Sequence, residues 1–117
     1  MDFELRTIAG CPNDAAAKAL FTEALTLEGL DPDAMAVREV RSDDEAAQLN
    51  FHGSPTFTVS GTDLFPSISE PAVTCRVYPT PAGLRGNPDL DTLRSAIRDA
   101  VGRHRVNIRE NARHVPL

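Results

Sequence analysis

Apolar and polar positions alternate from Asp2 to Ala9. Phe3, Leu5 and Thr7 fall on one side, Asp2, Glu4 and Arg6 on the other, and Ile8-Ala9 forms the apolar end. A period of two is that of a half-buried strand. From Pro12 to about Glu28 the period lengthens: Ala16, Leu20, Ala24 and Leu27 share a helix face that Phe21 and Leu25 broaden. Pro12 suits the first helical position, where a missing N–H costs nothing, and Gly29 suits the stop. Ala34 to Arg41 then reads as a strand carrying Met35, Val37 and Val40. Ser42-Asp43-Asp44-Glu45 is a capping box that opens a short helix through Leu49. Thr56 to Val59 is β-branched and aromatic, a strand that ends at Ser60-Gly61. A loop rich in proline and serine leads to a further strand, Thr74 to Tyr78. The last helix takes Asn87 as its cap, Pro88 as its first residue and Asp89 and Asp91 at the positive end of its dipole. Its apolar stripe is Leu90, Leu93, Ile97, Ala100 and Val101.

The order is β-α-β-α-β-β-α. Strands joined through helices pair in parallel and the last two strands pair as an antiparallel unit, which predicts an α/β fold with a mixed four-stranded sheet and helices on both faces. A chain of 117 residues suits one such domain. We place it at residues 1–102, followed by a basic extension over 103–117. The charge marks that division: 8 basic and 16 acidic residues up to Gly102 give −8, while 4 basic and 1 acidic from Arg103 on give +3, together the net −5. An acidic body disfavours nucleic acid as a partner, because phosphate contacts dominate that affinity. No apolar run is long enough for a membrane span, and Met1-Asp2-Phe3-Glu4 lacks the pattern of a secretory signal, so the expected location is the cytoplasm.

Two cysteines, no Cys-x-x-Cys and three scattered histidines argue against a disulfide framework and against zinc spacing, and no cofactor is expected. The chemistry-bearing text is Gly10-Cys11-Pro12, where the first strand gives way to the first helix, and Gly53-Ser54-Pro55-Thr56 before the third strand. Cys11 at a helix N-terminus faces unpaired amides that favour a thiolate, the attacking form in disulfide exchange. Asp14, three residues on, shares its side of the helix. It is a candidate proton relay to Cys11, or else an aspartate that favours the helix dipole.

These motifs, with Cys75-Arg76-Val77-Tyr78 before the last helix, resemble those of small single-domain thioredoxin-like proteins of high-GC bacteria, over roughly residues 4–102. Some members are described as mercury-lyase-like. The resemblance implies that the Cys11 and Pro55 segments meet in space and that Ser54-Pro55 is a cis bond. It also implies that Ser54 offers main-chain groups to an incoming peptide or disulfide, with Pro12 beside it in the substrate-binding set. Asp14 stands where a thioredoxin would carry its second cysteine, so another thiol must resolve a mixed disulfide. Cys75 is the candidate if the loop from Thr62 to Thr74 folds back over the first helix, although the start of a fourth strand would lie away from the proline loop. The other reading of Cys75 is a buried structural residue. Arg76 reads as a solvent-pointing strand arginine, His52 as an exposed loop histidine, and Phe51, Phe57 and Phe65 as packing.

The leading expectation is thiol-disulfide exchange with Cys11 as nucleophile on a protein or small-molecule thiol or disulfide. One alternative is a non-catalytic module that binds a partner, or a second copy as a homodimer, through the sheet edge and the Pro55 loop. Another is soft-metal binding by Cys11 and Cys75, with Asp14 as proton donor.

Overall fold

The computed structural model describes residues 2–113, and side chains as far as Arg103. A four-stranded mixed sheet is built from β1 (Phe3–Thr7), β2 (Met35–Glu39), β3 (Thr56–Val59) and β4 (Thr62–Asp63) in the order β2-β1-β3-β4. β2 runs parallel to β1, with Leu5 opposite Val37. β3 runs antiparallel to β1, with Phe3 opposite Val59 and Leu5 opposite Phe57. β4 folds back on β3 through Ser60 and Gly61, both at positive φ. Two consecutive positive φ values match the twist that a two-residue hairpin needs.

The alternation read in the first strand decides where the core lies. Phe3 and Leu5 on β1 join Phe57 and Val59 on β3 to make one apolar face. Two helices cover it, α1 (Asp14–Leu27) and α3 (Leu90–Arg113). They contribute Ala17, Phe21, Ala24, Leu25, Leu93, Ile97 and Val101. Glu28, after α1, ties the two together by accepting from Arg94 at 2.7 Å and lying 3.4 Å from Arg98. The opposite face of β1 and β3 carries Glu4, Arg6, Thr56 and Thr58. There Arg6 donates to the carbonyl of Leu49 at 3.1 Å, at the end of α2 (Asp43–Leu49). A second cluster of Val40, Ala46 and Phe51, with Ile8 and Leu49 against it, seats α2.

Several local expectations shift. α1 starts at Asp14 with Asn13 as cap, so Pro12 lies one residue before the cap rather than at the first helical position. Its buried stripe is Ala17, Phe21, Ala24 and Leu25; Ala16 is exposed and Leu27 half-exposed, a rotation of the expected face by about one residue. The stop at Gly29 is as expected, at φ +74. Ser42 caps α2 by accepting from the Glu45 amide at 3.1 Å, but Glu45 Oε1 is buried without a partner, so only half of the capping box forms. α3 is capped by Asp89, which accepts from the Thr92 amide at 3.1 Å and from the Thr92 hydroxyl at 2.7 Å. Asn87 is not the cap, and its Oδ1 is buried without a partner.

The largest correction concerns the fourth strand. It is Thr62–Asp63, inside the stretch read as loop, and not Thr74 to Tyr78. Tyr78 instead begins a separate hairpin of β5 (Tyr78–Thr80) and β6 (Gly83–Arg85). The basic extension expected from residue 103 continues α3 to Arg113, and 114–117 lie outside the described residues. Among the described residues, no helix is long and apolar enough to cross a membrane.

Candidate functional site around Ser54

The connection between β1 and α1 is a tight turn: the Cys11 amide donates to the Ile8 carbonyl at 3.3 Å, and the Asp14 amide donates to the Cys11 carbonyl at 3.4 Å. Gly10, at φ +72, lets the chain reverse. Cys11 thus sits two residues ahead of the α1 cap, Asn13, and is 5 % exposed. Asp14, the first residue of α1, is exposed, and its carboxylate accepts from the Ala15 amide at 2.7 Å. A carboxylate in the first turn of a helix lies at the positive end of its dipole.

Ser54 joins this turn to the rest of the site. It is fully buried between Phe51 and Val59, a run in which every residue is buried, and the Ser54-Pro55 bond is cis, as the resemblance implied. Its hydroxyl accepts from the Ile8 amide at 3.2 Å, pinning the residue whose carbonyl holds Cys11. Its main chain is equally engaged. The Ser54 amide donates to the Thr74 carbonyl at 2.8 Å, and the Arg76 amide donates to the Ser54 carbonyl at 2.9 Å. Cys75 is therefore the parallel bridge partner of Ser54. The expectation that this segment would lie away from the proline loop is corrected, and so is the buried structural reading of Cys75, because its side chain is exposed. Ser54 is thus bridged to Cys75 directly and linked to Cys11 through the main chain of Ile8, with Pro12 exposed after Cys11. Asp14 faces its own helix turn.

Residues 72–77 form a strap, and what fastens it went unread in the sequence. The Ala72 amide donates to Phe51 O at 3.1 Å, and the Val73 amide to Asp43 Oδ1 at 3.0 Å. Arg76 turns inward rather than to solvent. Its guanidinium meets Asp63 at 2.8 Å, each side chain only 10 % exposed. It also donates to Thr56 Oγ1 at 3.3 Å and to the Phe65 carbonyl, and lies 4.8 Å from the Tyr78 ring centre. A guanidinium offers five donors in a planar fork, which lets one side chain bind three neighbours and stack on a fourth. Gly53 permits the close approach: at φ +120 it faces Arg76 so closely that a Cβ would lie 2.9 Å from Arg76 Cβ.

Tyr78 completes the arrangement. Its hydroxyl donates to the Pro55 carbonyl, and its ring packs edge-on against Phe57 and Phe65. Burial pushes the phenol well above its ordinary range, while the Arg76 charge opposes that shift. One sequence signal did exist. Arg76 and Tyr78 are two apart, which places them on one side of an extended segment. Asp63 had no such mark, being thirteen residues away in a stretch read as loop.

His52 is buried rather than exposed, with Nε2 3.0 Å from Asn50 Oδ1. Beside it an open cleft runs between residues 64–70 and 74–79, with Cys75 and Arg76 on one wall and Ile68 fully exposed on the other. Among the described residues, no three of His, Cys, Asp or Glu group so as to hold a metal ion.

Comparison of the chain with protein-family models, with curated proteins and with solved structures finds no match in any of the three.

Proposed function

We propose that this chain is a thioredoxin-like thiol protein that carries out thiol-disulfide exchange, with Cys11 as nucleophile and Cys75 as resolving thiol. One observation carries the reading: a single buried residue, Ser54, holds the Cys11 turn through its hydroxyl and the Cys75 strap through its main chain. The element order and the strand order β2-β1-β3-β4 are in keeping with the minimal form of that fold.

In the first step the Cys11 thiolate attacks one sulfur of an external disulfide. A Cys11–S–S–R bond forms, and the other half leaves as a thiolate and takes up a proton. The Cys75 thiolate then attacks Cys11 Sγ, releasing the second half and leaving a Cys11–Cys75 disulfide. The external disulfide gains the two electrons that the cysteine pair loses. Two molecules of an external thiol return the pair to its reduced form and become a disulfide themselves.

The test is reduction of 2-hydroxyethyl disulfide by glutathione, with and without the protein. The expected result is a rate that rises in proportion to protein, disappears in Cys11→Ser and falls in Cys75→Ser. A rate no higher than the uncatalysed reaction, or one untouched by Cys11→Ser, overturns the proposal.

A further inference from the structure

An extended peptide docks on a sheet edge by pairing its main chain with free N–H and C=O groups there. The segment tied to the Cys11 turn through Ile8 is that of Ser54, and both of its main-chain groups are already taken: its amide by Thr74 and its carbonyl by Arg76. Their occupant is the chain's own strap, bonded at Phe51, Asp43 and Ser54 and latched by Arg76 on Asp63, Thr56 and Phe65. The Arg76–Asp63 pair is nearly buried, and separating it leaves two charges without their partners, at a cost far above that of breaking an exposed pair. Cys11 itself, at 5 % exposure, offers little sulfur surface to a bulky partner.

Resting on the reading of Cys11 as the reacting thiol, we infer that the strap latched by Arg76 restricts Cys11 to low-molecular-weight disulfides and excludes protein disulfides. Arg76 is then a specificity-determining residue that never touches the reacting sulfurs. The bond changes are those of a single exchange. The S–S bond of the small disulfide breaks, Cys11–S–S–R forms, and the departing thiolate takes the proton that Cys11 gave up. A protein disulfide would have to approach in an extended segment, and the groups that would orient it are filled.

The experiment uses the full chain carrying Cys75→Ser, so that the exposed thiol does not compete, and counts adducts on Cys11 by intact mass. The probes are 2-hydroxyethyl disulfide and native insulin, each rate divided by that of free cysteine with the same probe. The inference expects the normalised rate with the small disulfide to exceed that with insulin by at least about tenfold. Adding Asp63→Asn with Arg76→Ala removes the latch without stranding a buried charge. That variant should gain at least about tenfold with insulin while the small-disulfide rate changes little. Equal normalised rates in the parent protein overturn the inference and leave the exchange reading standing. No adduct from either probe overturns the exchange reading, and the inference with it. Should the unlatched variant fail to fold, amide hydrogen exchange on the parent decides. Arg76 and Ser54 amides protected well beyond an unstructured chain support a closed strap; exchange at the unstructured rate overturns it.

Discussion

Replacing Ser54 by alanine removes one oxygen and should loosen one turn. The Ser54 hydroxyl accepts from the Ile8 amide at 3.2 Å, and Ile8 in turn accepts from the Cys11 amide at 3.3 Å. Ser54 is fully buried but Ile8 is only partly so, so water reaches the stranded amide in part. That places the cost at the low end of the range for an unmet buried donor, about 1 kcal/mol. Main-chain pairing of Ser54 with Thr74 and Arg76 does not involve the hydroxyl, so the strap stays in place. If the cost falls on the turn, its open form rises about fivefold, since about 1.4 kcal/mol corresponds to tenfold. Cys11 reacts with an alkylating reagent mainly through that open form, so its labelling rate should rise by a similar factor. Cys75, already exposed, serves as the internal control and should label at an unchanged rate. Timed iodoacetamide labelling with peptide mass analysis reads both thiols, and urea unfolding reads the total cost as a lower midpoint at unchanged slope. A lower midpoint with unchanged Cys11 labelling would refute the link between Ser54 and the Cys11 turn. Equal acceleration at both cysteines would refute it too, by showing a general loosening.

Tyr78→Phe deletes the donor to the buried Pro55 carbonyl and should destabilise by about 1–3 kcal/mol in urea unfolding. Burial raises the phenol's pKa in the folded chain, so its contribution is complete below the unfolded value of about 10 and is lost as pH rises beyond it. Midpoints measured from pH 8 to 11 should therefore fall more steeply above pH 10 in the parent than in Tyr78→Phe. Asp89→Ala removes the cap of α3 and should cost about 1 kcal/mol near neutral pH. The Thr92 hydroxyl holds the Asp89 carboxyl below its usual value, so the cap's ionic advantage is present above the unfolded pKa of about 3.9 and disappears as pH falls through the folded one. The gap between parent and variant should narrow in acid denaturation. Gly53→Ala places a Cβ 2.9 Å from Arg76 Cβ at φ +120, a conformation costing about 1–3 kcal/mol. Faster hydrogen exchange at the Arg76 amide than in the parent should report the displaced strap.

Elements whose residues carry their own period were legible in the sequence. Phe3 and Leu5 alternate with Glu4 and Arg6 and make β1; the Leu93-Ile97-Val101 spacing makes the buried stripe of α3, with Leu90 partly buried against it. Thr56–Val59 is a strand with the expected bounds, because β-branched and aromatic residues fill a run buried on both faces. Short elements fixed by tertiary contacts were not legible. β4 has two residues, Thr62 and Asp63, too few to show alternation, and only pairing with Thr58 and Val59 makes it a strand. Thr74 to Tyr78 has strand composition, yet Val77 is exposed and only Cys75 bridges the main chain of Ser54. Composition measured its readiness to extend, and the partner was set by Arg76 finding Asp63. Cap positions slipped for a related reason: Asn87 and Asp89 both have capping side chains, and with α3 beginning at Leu90 it is Asp89 that caps, which leaves Pro88 before the cap rather than at the first helical position.

If Cys11 and Cys75 act as one redox couple across Ser54, the two thiols must respond together to the surrounding redox potential. Intact mass after differential thiol alkylation, with the protein poised in a series of glutathione redox buffers, tests it most directly. A redox couple should lose both thiols together, with a mass lower by about two daltons and no adduct retained. Two thiols that remain free throughout the series, or glutathione retained on Cys11 alone, would contradict it.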